Sequence, residues 1–174
     1  AVSASSIKYD GYKCTWSAVS GASEYVVKFT TNKDGVEKTK EYSRPEASFS
    51  YNGTTYDSVE ISITAKNAKG SSSAVNKLFT RIDPLDSSTI VWDENGMLSW
   101  EEVAEATGYI LKINGKEVTC DYTTYDDFGK GKNIVQIMPT APDTYSAWSS
   151  TVTMTFLETP TNIKYDGDYL SWTG

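Results

Sequence analysis

The chain of 174 residues contains no histidine. That absence removes Ser-His and Cys-His nucleophile pairs and every metal site that uses imidazole. Cysteine is scarce too: Cys14 and Cys120 are too few for a disulfide scaffold. No apolar run approaches the ~20 residues of a membrane-spanning helix, so membrane insertion is not expected. Lys and Arg never cluster, and the net charge is -7 with a pI of about 4.6. A nucleic-acid partner needs a basic face to displace counterions from phosphates, and an anionic membrane surface needs the same. A nucleic-acid partner is excluded, and an anionic membrane surface is disfavoured. No segment sustains a helical period.

What the chain does have is strand-forming material. Aromatic residues make up 13%, with 12 Tyr and 5 Trp, and Thr, Ser and Val are abundant; such side chains suit a pleated, half-buried surface. Asp-Gly or Asn-Gly occurs at 10–11, 34–35, 52–53, 95–96, 114–115 and 166–167. These pairs tolerate positive φ and favour tight hairpins. Lys112-Ile113-Asn114-Gly115-Lys116 is the clearest, two strands joined by a two-residue turn. Short strands with turns every 8–12 residues read as an all-β sandwich.

Self-similarity fixes the organisation. Ile7-Lys8-Tyr9-Asp10-Gly11 runs on to Cys14-Thr15-Trp16, and Ile163-Lys164-Tyr165-Asp166-Gly167 runs on to Leu170-Ser171-Trp172. Between them, Ile90-Val91-Trp92 leads through Asn95-Gly96 to Leu98-Ser99-Trp100. Trp16, Trp100 and Trp172 thus stand 84 and 72 residues apart. Beyond the tryptophan, Tyr25, Val27 and Phe29 alternate, as do Tyr109, Leu111 and Ile113. Period two places each set on one face of a strand. The reading is two tandem immunoglobulin-like β-sandwiches, at 1–82 and 83–157, and the start of a third module at 158–174. A half-module cannot bury its own face, so a longer protein is expected.

The tryptophans, Gly21-Ala22-Ser23-Glu24-Tyr25 with its partial copy Ala106-Thr107-Gly108-Tyr109, and Ile61-Ser62-Ile63-Thr64-Ala65-Lys66-Asn67 together resemble fibronectin type III modules. The likeness is to those strung along bacterial secreted and cell-surface proteins, and it covers essentially the whole chain. It implies an extracellular location, neighbouring modules of the same chain as partners, a monomer and no cofactor. Two features depart from the family. The tyrosine that often opens its sixth strand is replaced by Val59 and Asn133, and Pro139 stands where the first module has Ala65, which predicts a bulge or an early strand end. No Arg-Gly-Asp occurs, so the integrin-binding role of some members does not carry over.

Candidate chemistry is sparse. Cys14 aligns with Leu98 and Leu170, which makes it a core thiol. Glu101 and Glu102 are adjacent and point to opposite faces of an extended chain. Asp121, Asp126 and Asp127 surround a loop that offers carboxylates of the kind calcium takes, at a spacing that matches no calcium loop; a solvated acidic loop is the plainer reading. Asn52-Gly53-Thr54 is a glycosylation sequon and also an ordinary turn. No catalytic or metal residue is assigned.

Loop aromatics are the leading candidates for ligand contact: Tyr145 and Trp148, with Tyr122 and Tyr125 on another loop of the same module. Sugars stack on exposed rings. Trp148 folding back over the sandwich edge is the competing expectation. Three functions remain: a non-catalytic spacer or adhesion segment, a carbohydrate-binding accessory module for cell-wall or dietary polysaccharide, and a module that binds another surface protein.

Overall fold

The structure, a computed structural model, describes residues 1–157 and 160–173. Its strands, in chain order, are β1 (Lys8–Tyr9), β2 (Lys13–Thr15), β3 (Glu24–Lys33), β4 (Val36–Arg44), β5 (Ser48–Ser50), β6 (Ser58–Asn67), β7 (Gly70–Ser71) and β8 (Val75–Arg81). There follow β9 (Val91–Trp92), β10 (Leu98–Ser99), β11 (Gly108–Ile113), β12 (Lys116–Cys120), β13 (Thr124–Tyr125), β14 (Gly131–Thr140), β15 (Thr144–Tyr145), β16 (Val152–Phe156), β17 (Thr161–Tyr165) and β18 (Leu170–Thr173). Two 3-10 turns, Ala4–Ser6 and Ser87–Thr89, are the only helical pieces among the described residues.

The chain folds as two compact units. Unit 1 comprises Ala1–Pro84, Val103–Thr107 and Pro139–Ala147; unit 2 comprises Leu85–Glu102, Gly108–Met138 and the chain from Trp148 on. Two segments that the repeat pattern gives to the second module, 103–107 and 139–147, therefore fold as part of unit 1. Residues 158 and 159, at the expected start of a third module, lie outside the described residues.

In unit 1, a sheet ordered β1-β2-β5 faces a sheet ordered β4-β3-β6-β8 that β15 extends. Seven principal strands, three against four, make an immunoglobulin-like sandwich. The alternation read from sequence sets the register. Tyr25, Val27, Phe29 and Thr31 of β3 lie opposite Ala65, Ile63, Ile61 and Val59 of β6, all on the buried face. Ile7, Tyr9, Cys14, Trp16 and Phe49 cover them from the other side. Trp16 meets Tyr25 edge-to-face, with ring centroids 5.3 Å apart. The β3–β4 turn has φ of +52° at Asp34 and +78° at Gly35, the two positive values a tight twisted hairpin requires.

Unit 2 repeats the plan with β9-β10-β13 and β12-β11-β14-β16. Its core includes Leu98, Trp100, Tyr109, Leu111, Val135 and Ile137. Trp100 and Tyr109 are again edge-to-face at 5.3 Å. Asn114 and Gly115 form the equivalent β11–β12 turn, with φ of +50° and +85°. Pro139 does not shorten the sixth strand of this plan: β14 runs ten residues and passes through it. Asn133 is buried, and its amide donates to the carbonyls of Gly129 at 2.7 Å and Gly131 at 3.2 Å. A buried amide with partners at both bonds carries little desolvation penalty.

The sequence reading placed Tyr145 on an exposed loop, and the structure corrects this: Tyr145 is 3% exposed, in the core of unit 1. Thr144 and Tyr145 pair in parallel with Thr80 and Arg81 of β8. The Tyr145 ring sits edge-to-face on Tyr9 at 5.2 Å, and its hydroxyl donates to the Tyr56 carbonyl at 3.0 Å. Ser146 donates to the Ile82 carbonyl at 2.9 Å, and Lys77 pairs with Asp143 at 2.6 Å. The physical reason is the edge of β8, whose backbone groups need partners, together with a gap beside Tyr9 that one ring fills.

Removing that ring leaves a cavity and an unpaired carbonyl. Tyr145→Ala is expected to cost unit 1 roughly 3–5 kcal/mol, as large aromatic truncations do, and Tyr145→Phe about 1 kcal/mol for the hydrogen bond alone. Native-state hydrogen exchange at β6 amides measures both. Protection unchanged in Tyr145→Ala would show that the ring does not hold the unit.

Candidate functional site

Of the four loop aromatics, only two share a site. Tyr122 follows β12 and is 75% exposed. Tyr125 belongs to β13, a strand that the sequence reading took for loop, and is partly buried. Both line a shallow groove on unit 2 with Met97, Asp121 and Asp126, beside the buried Cys120. The Cys120 thiol donates to the carbonyls of Tyr122 at 3.3 Å and Thr124 at 3.4 Å, so it shapes the loop that carries both tyrosines. Tyr125 packs edge-to-face on Phe128 at 5.0 Å. Burial holds its phenol above the ordinary range, and Asp127, Cys120 and Asp126 push in the same direction. It stays protonated at neutral pH and can donate a hydrogen bond.

Trp148 does not join this groove. Its ring is partly buried, and the Lys112 ammonium sits 3.9 Å from the ring centroid. Lys112 is held in turn by Glu117 at 3.3 Å. A cation over a ring face is attracted by the quadrupole, and it occupies the face a planar ligand would use. Beside it, Ser149 accepts from the Ile137 amide at 2.9 Å. Unit 1 builds the same brace, with Ser72 accepting from the Ala65 amide at 3.1 Å. Trp148 is thus half-buried, with Lys112 over one face of its ring.

The carboxylates do structural work. Lys33 binds Asp57 at 2.8 Å, and the Asp34 amide donates to it at 2.7 Å. These bonds, the lysine's first, hold the Asp57 carboxyl below its ordinary range. They also pin the β3–β4 turn. Asp10, Asp93 and Asp166 each accept two amides within their own hairpin turn: Tyr12 and Lys13, Asn95 and Met97, Asp168 and Tyr169. In the middle copy the structural equivalent of Asp10 is thus Asp93, not the Asn95 that dipeptide matching suggested. Glu101, Glu102, Asp121, Asp126 and Asp127 are exposed. Among the described residues no three or more Asp, Glu or Cys side chains are arranged to hold a metal ion.

Cys14 is fully buried, and Cys14 and Cys120 are both free. Burial, with a smaller push from Asp10, raises the Cys14 thiol to about 12, so it is no thiolate nucleophile at neutral pH. Leu98 shares this burial, whereas Leu170 is 59% exposed in the β17–β18 hairpin, where every described residue is exposed.

No protein-family model matches the sequence, and no curated protein matches it. Among solved structures, the chain is similar to a two fibronectin type III domain segment from chicken tenascin. The identity is 15%, with 88% of this chain and 95% of that one covered and a TM-score of 0.36.

Burial of acids makes stability alkali-sensitive. Cys14 and Tyr145 hold their protons to about pH 12 in the folded chain, against roughly 8.5 and 10 for an unfolded thiol and phenol. Between those values the unfolded chain binds fewer protons, so stability falls as pH rises. The urea midpoint should be insensitive to these groups below about pH 8 and should decline from about pH 9 towards 12. Tyr145→Phe should flatten the upper part of that decline. A midpoint constant to pH 11 would contradict the assignment.

Proposed function

We propose that this chain is a non-catalytic, modular spacer and adhesion segment of a larger extracellular protein, secreted or attached to a bacterial cell surface. The observation that carries the reading is repetition of the interior. The inter-sheet Trp–Tyr contact is built twice at the same 5.3 Å. The serine brace is built twice, and the aspartate-capped hairpin three times. Repeating a fold while varying its loops suits a part whose task is to occupy length and present other parts. In this reading the chain is a monomer, its sequence repeats are 1–82 and 83–157, with 103–107 and 139–147 of the second folding in unit 1, and its regular partners are neighbouring modules. The β17–β18 hairpin opens a third module, since it carries the same turn as β1–β2: Tyr165 donates to the Gly167 carbonyl as Tyr9 does to Gly11.

A second reading has its own observation. Tyr122 presents an open ring beside Tyr125 and two carboxylates, a pairing of stacking surface and hydroxyl acceptors that suits a polysaccharide of cell-wall or dietary origin. Binding of another surface protein is the third reading.

Affinity electrophoresis of wild type and Tyr122→Ala through cell-wall and plant polysaccharides separates the first two. The spacer reading expects no retardation of either protein. Retardation that weakens roughly tenfold in Tyr122→Ala, the loss typical of one well-packed aromatic contact, would overturn it and make unit 2 a sugar-binding module.

A further inference from the structure

The longest edge strand of the protein is β4, nine residues from Val36 to Arg44. On one side it pairs with β3 along its whole length, from Lys33↔Val36 to Tyr25↔Arg44. On the other side no strand lies against it among the described residues. Residues 36–41 are all exposed. A long, regular, solvent-facing edge is a template on which another chain can add a strand, and proteins that leave one open usually guard it.

The register shows how this one is guarded. Val27 and Phe29 point into the core, and their partners across the ladder are Tyr42 and Lys40. Thr31, also buried, lies opposite Lys38. Residues directly opposite share a face, so Lys38 and Lys40 project from the core-facing side of the sheet. Apolar residues would extend the core there. Glu37, Thr39 and Glu41 take the other face, where Thr39 bonds Thr30 at 2.8 Å and Glu41 pairs with Lys28 at 3.6 Å. Lysines on the inward face of an edge are one of the known guards against edge pairing.

The order of the charges adds a second guard. Glu37-Lys38-Thr39-Lys40-Glu41 reads the same in both directions. Two copies meeting β4 to β4 about a two-fold axis run antiparallel. Directly opposed residues must then face the ladder in the same sense, so the axis passes through a residue and not between two. Through Thr39, Glu37 opposes Glu41 and Lys38 opposes Lys40, each twice. Through Lys38 or Lys40, that lysine opposes itself. Through Glu41, that residue opposes itself and Lys38 meets Arg44. Like charges directly opposite destabilise a strand pair, and each of these registers contains them.

We propose that β4 is a guarded interaction edge: its palindromic charges refuse a second copy of this chain and favour a strand of inverted charge, Lys-Glu-x-Glu-Lys. The charge-inverted strand turns every like pair of the Thr39-centred register into an opposite one.

The test exchanges two neighbours. Lys40→Glu with Glu41→Lys keeps composition and net charge but makes the edge self-complementary about Thr39. Sedimentation velocity of the full chain should show a wild-type monomer. At the same concentration the swapped variant should dimerise, with self-association strengthened about tenfold or more, as expected for four cross-strand pairs changing sign. The dimer should dissociate in high salt. Circular dichroism checks that the variant is folded. If it is not, the four-residue reversal (Glu37→Lys, Lys38→Glu, Lys40→Glu and Glu41→Lys) gives a second arm: it should refuse itself and pair with wild type. A wild type that already dimerises through β4, or a folded swapped variant that stays monomeric, would overturn the proposal.

Discussion

Each sandwich depends on one ring contact made across its two sheets. Trp16 is tied to the three-stranded sheet, its amide donating to Ala47, while Tyr25 stands on β3 of the other sheet. Trp100 and Tyr109 hold the same relation in unit 2, where the Trp100 amide donates to Thr123. The contact has a cost, because the indole N–H groups of Trp16 and Trp100 are buried without a hydrogen-bond partner among the described residues. An orphaned donor costs about 1–3 kcal/mol. A large aromatic side chain buries about 150–250 Å², worth roughly 4–6 kcal/mol at ~25 cal/mol per Å². Burial wins, and the ring sets how close the sheets approach. The position tolerates an unsatisfied donor because the ring's area is what the fold uses.

Those features were legible because they are local or periodic. A tryptophan at the end of a hairpin, a tyrosine opening an alternating strand and an Asn-Gly or Asp-Gly turn are visible in short windows, and both units have them in place; Asn52-Gly53 is the exception, since neither residue takes positive φ and the segment links two different sheets instead of closing a hairpin. Tyr145 was not legible. Its segment, Thr144-Tyr145-Ser146, has the composition of a surface loop, and its burial follows from Tyr9, Tyr56 and Thr80, residues that lie 65 or more positions away. No window of sequence contains that information. The short strand β13 was hidden for a related reason: two residues of strand inside an acidic loop leave no period to detect.

Asp93 shows a different failure. The Asn95-Gly96 pair has the composition of a tight turn and was matched to Asp10-Gly11. The backbone instead uses Asp93 to accept the Asn95 and Met97 amides, with Gly96 at φ +86° and its α-carbon against the Phe156 ring, where a Cβ would clash with the ring. The dipeptide marks the turn correctly and misassigns which side chain caps it. Turn type is decided by where the flanking strands need to enter, and that depends on the Trp92–Phe156 packing beneath.

The candidate site was legible by residue type and not by placement. Four aromatics of similar local context have three fates: Tyr145 in a core, Trp148 beneath a lysine, and Tyr122 with Tyr125 along a groove. What separates them is whether a neighbouring element has an unmet need. The edge of β8 lacked strand partners and took Tyr145. The ring of Trp148 lies within reach of Lys112, which its own sheet already anchors through Glu117. Tyr122 stands on a loop whose backbone is satisfied by Cys120, so its ring is left over. The same logic applies to β4, whose outer backbone groups no later segment covers among the described residues. An edge left without a partner must be made unattractive or given a partner of its own, and inward lysines in palindromic order do the first while specifying the charge order of the second.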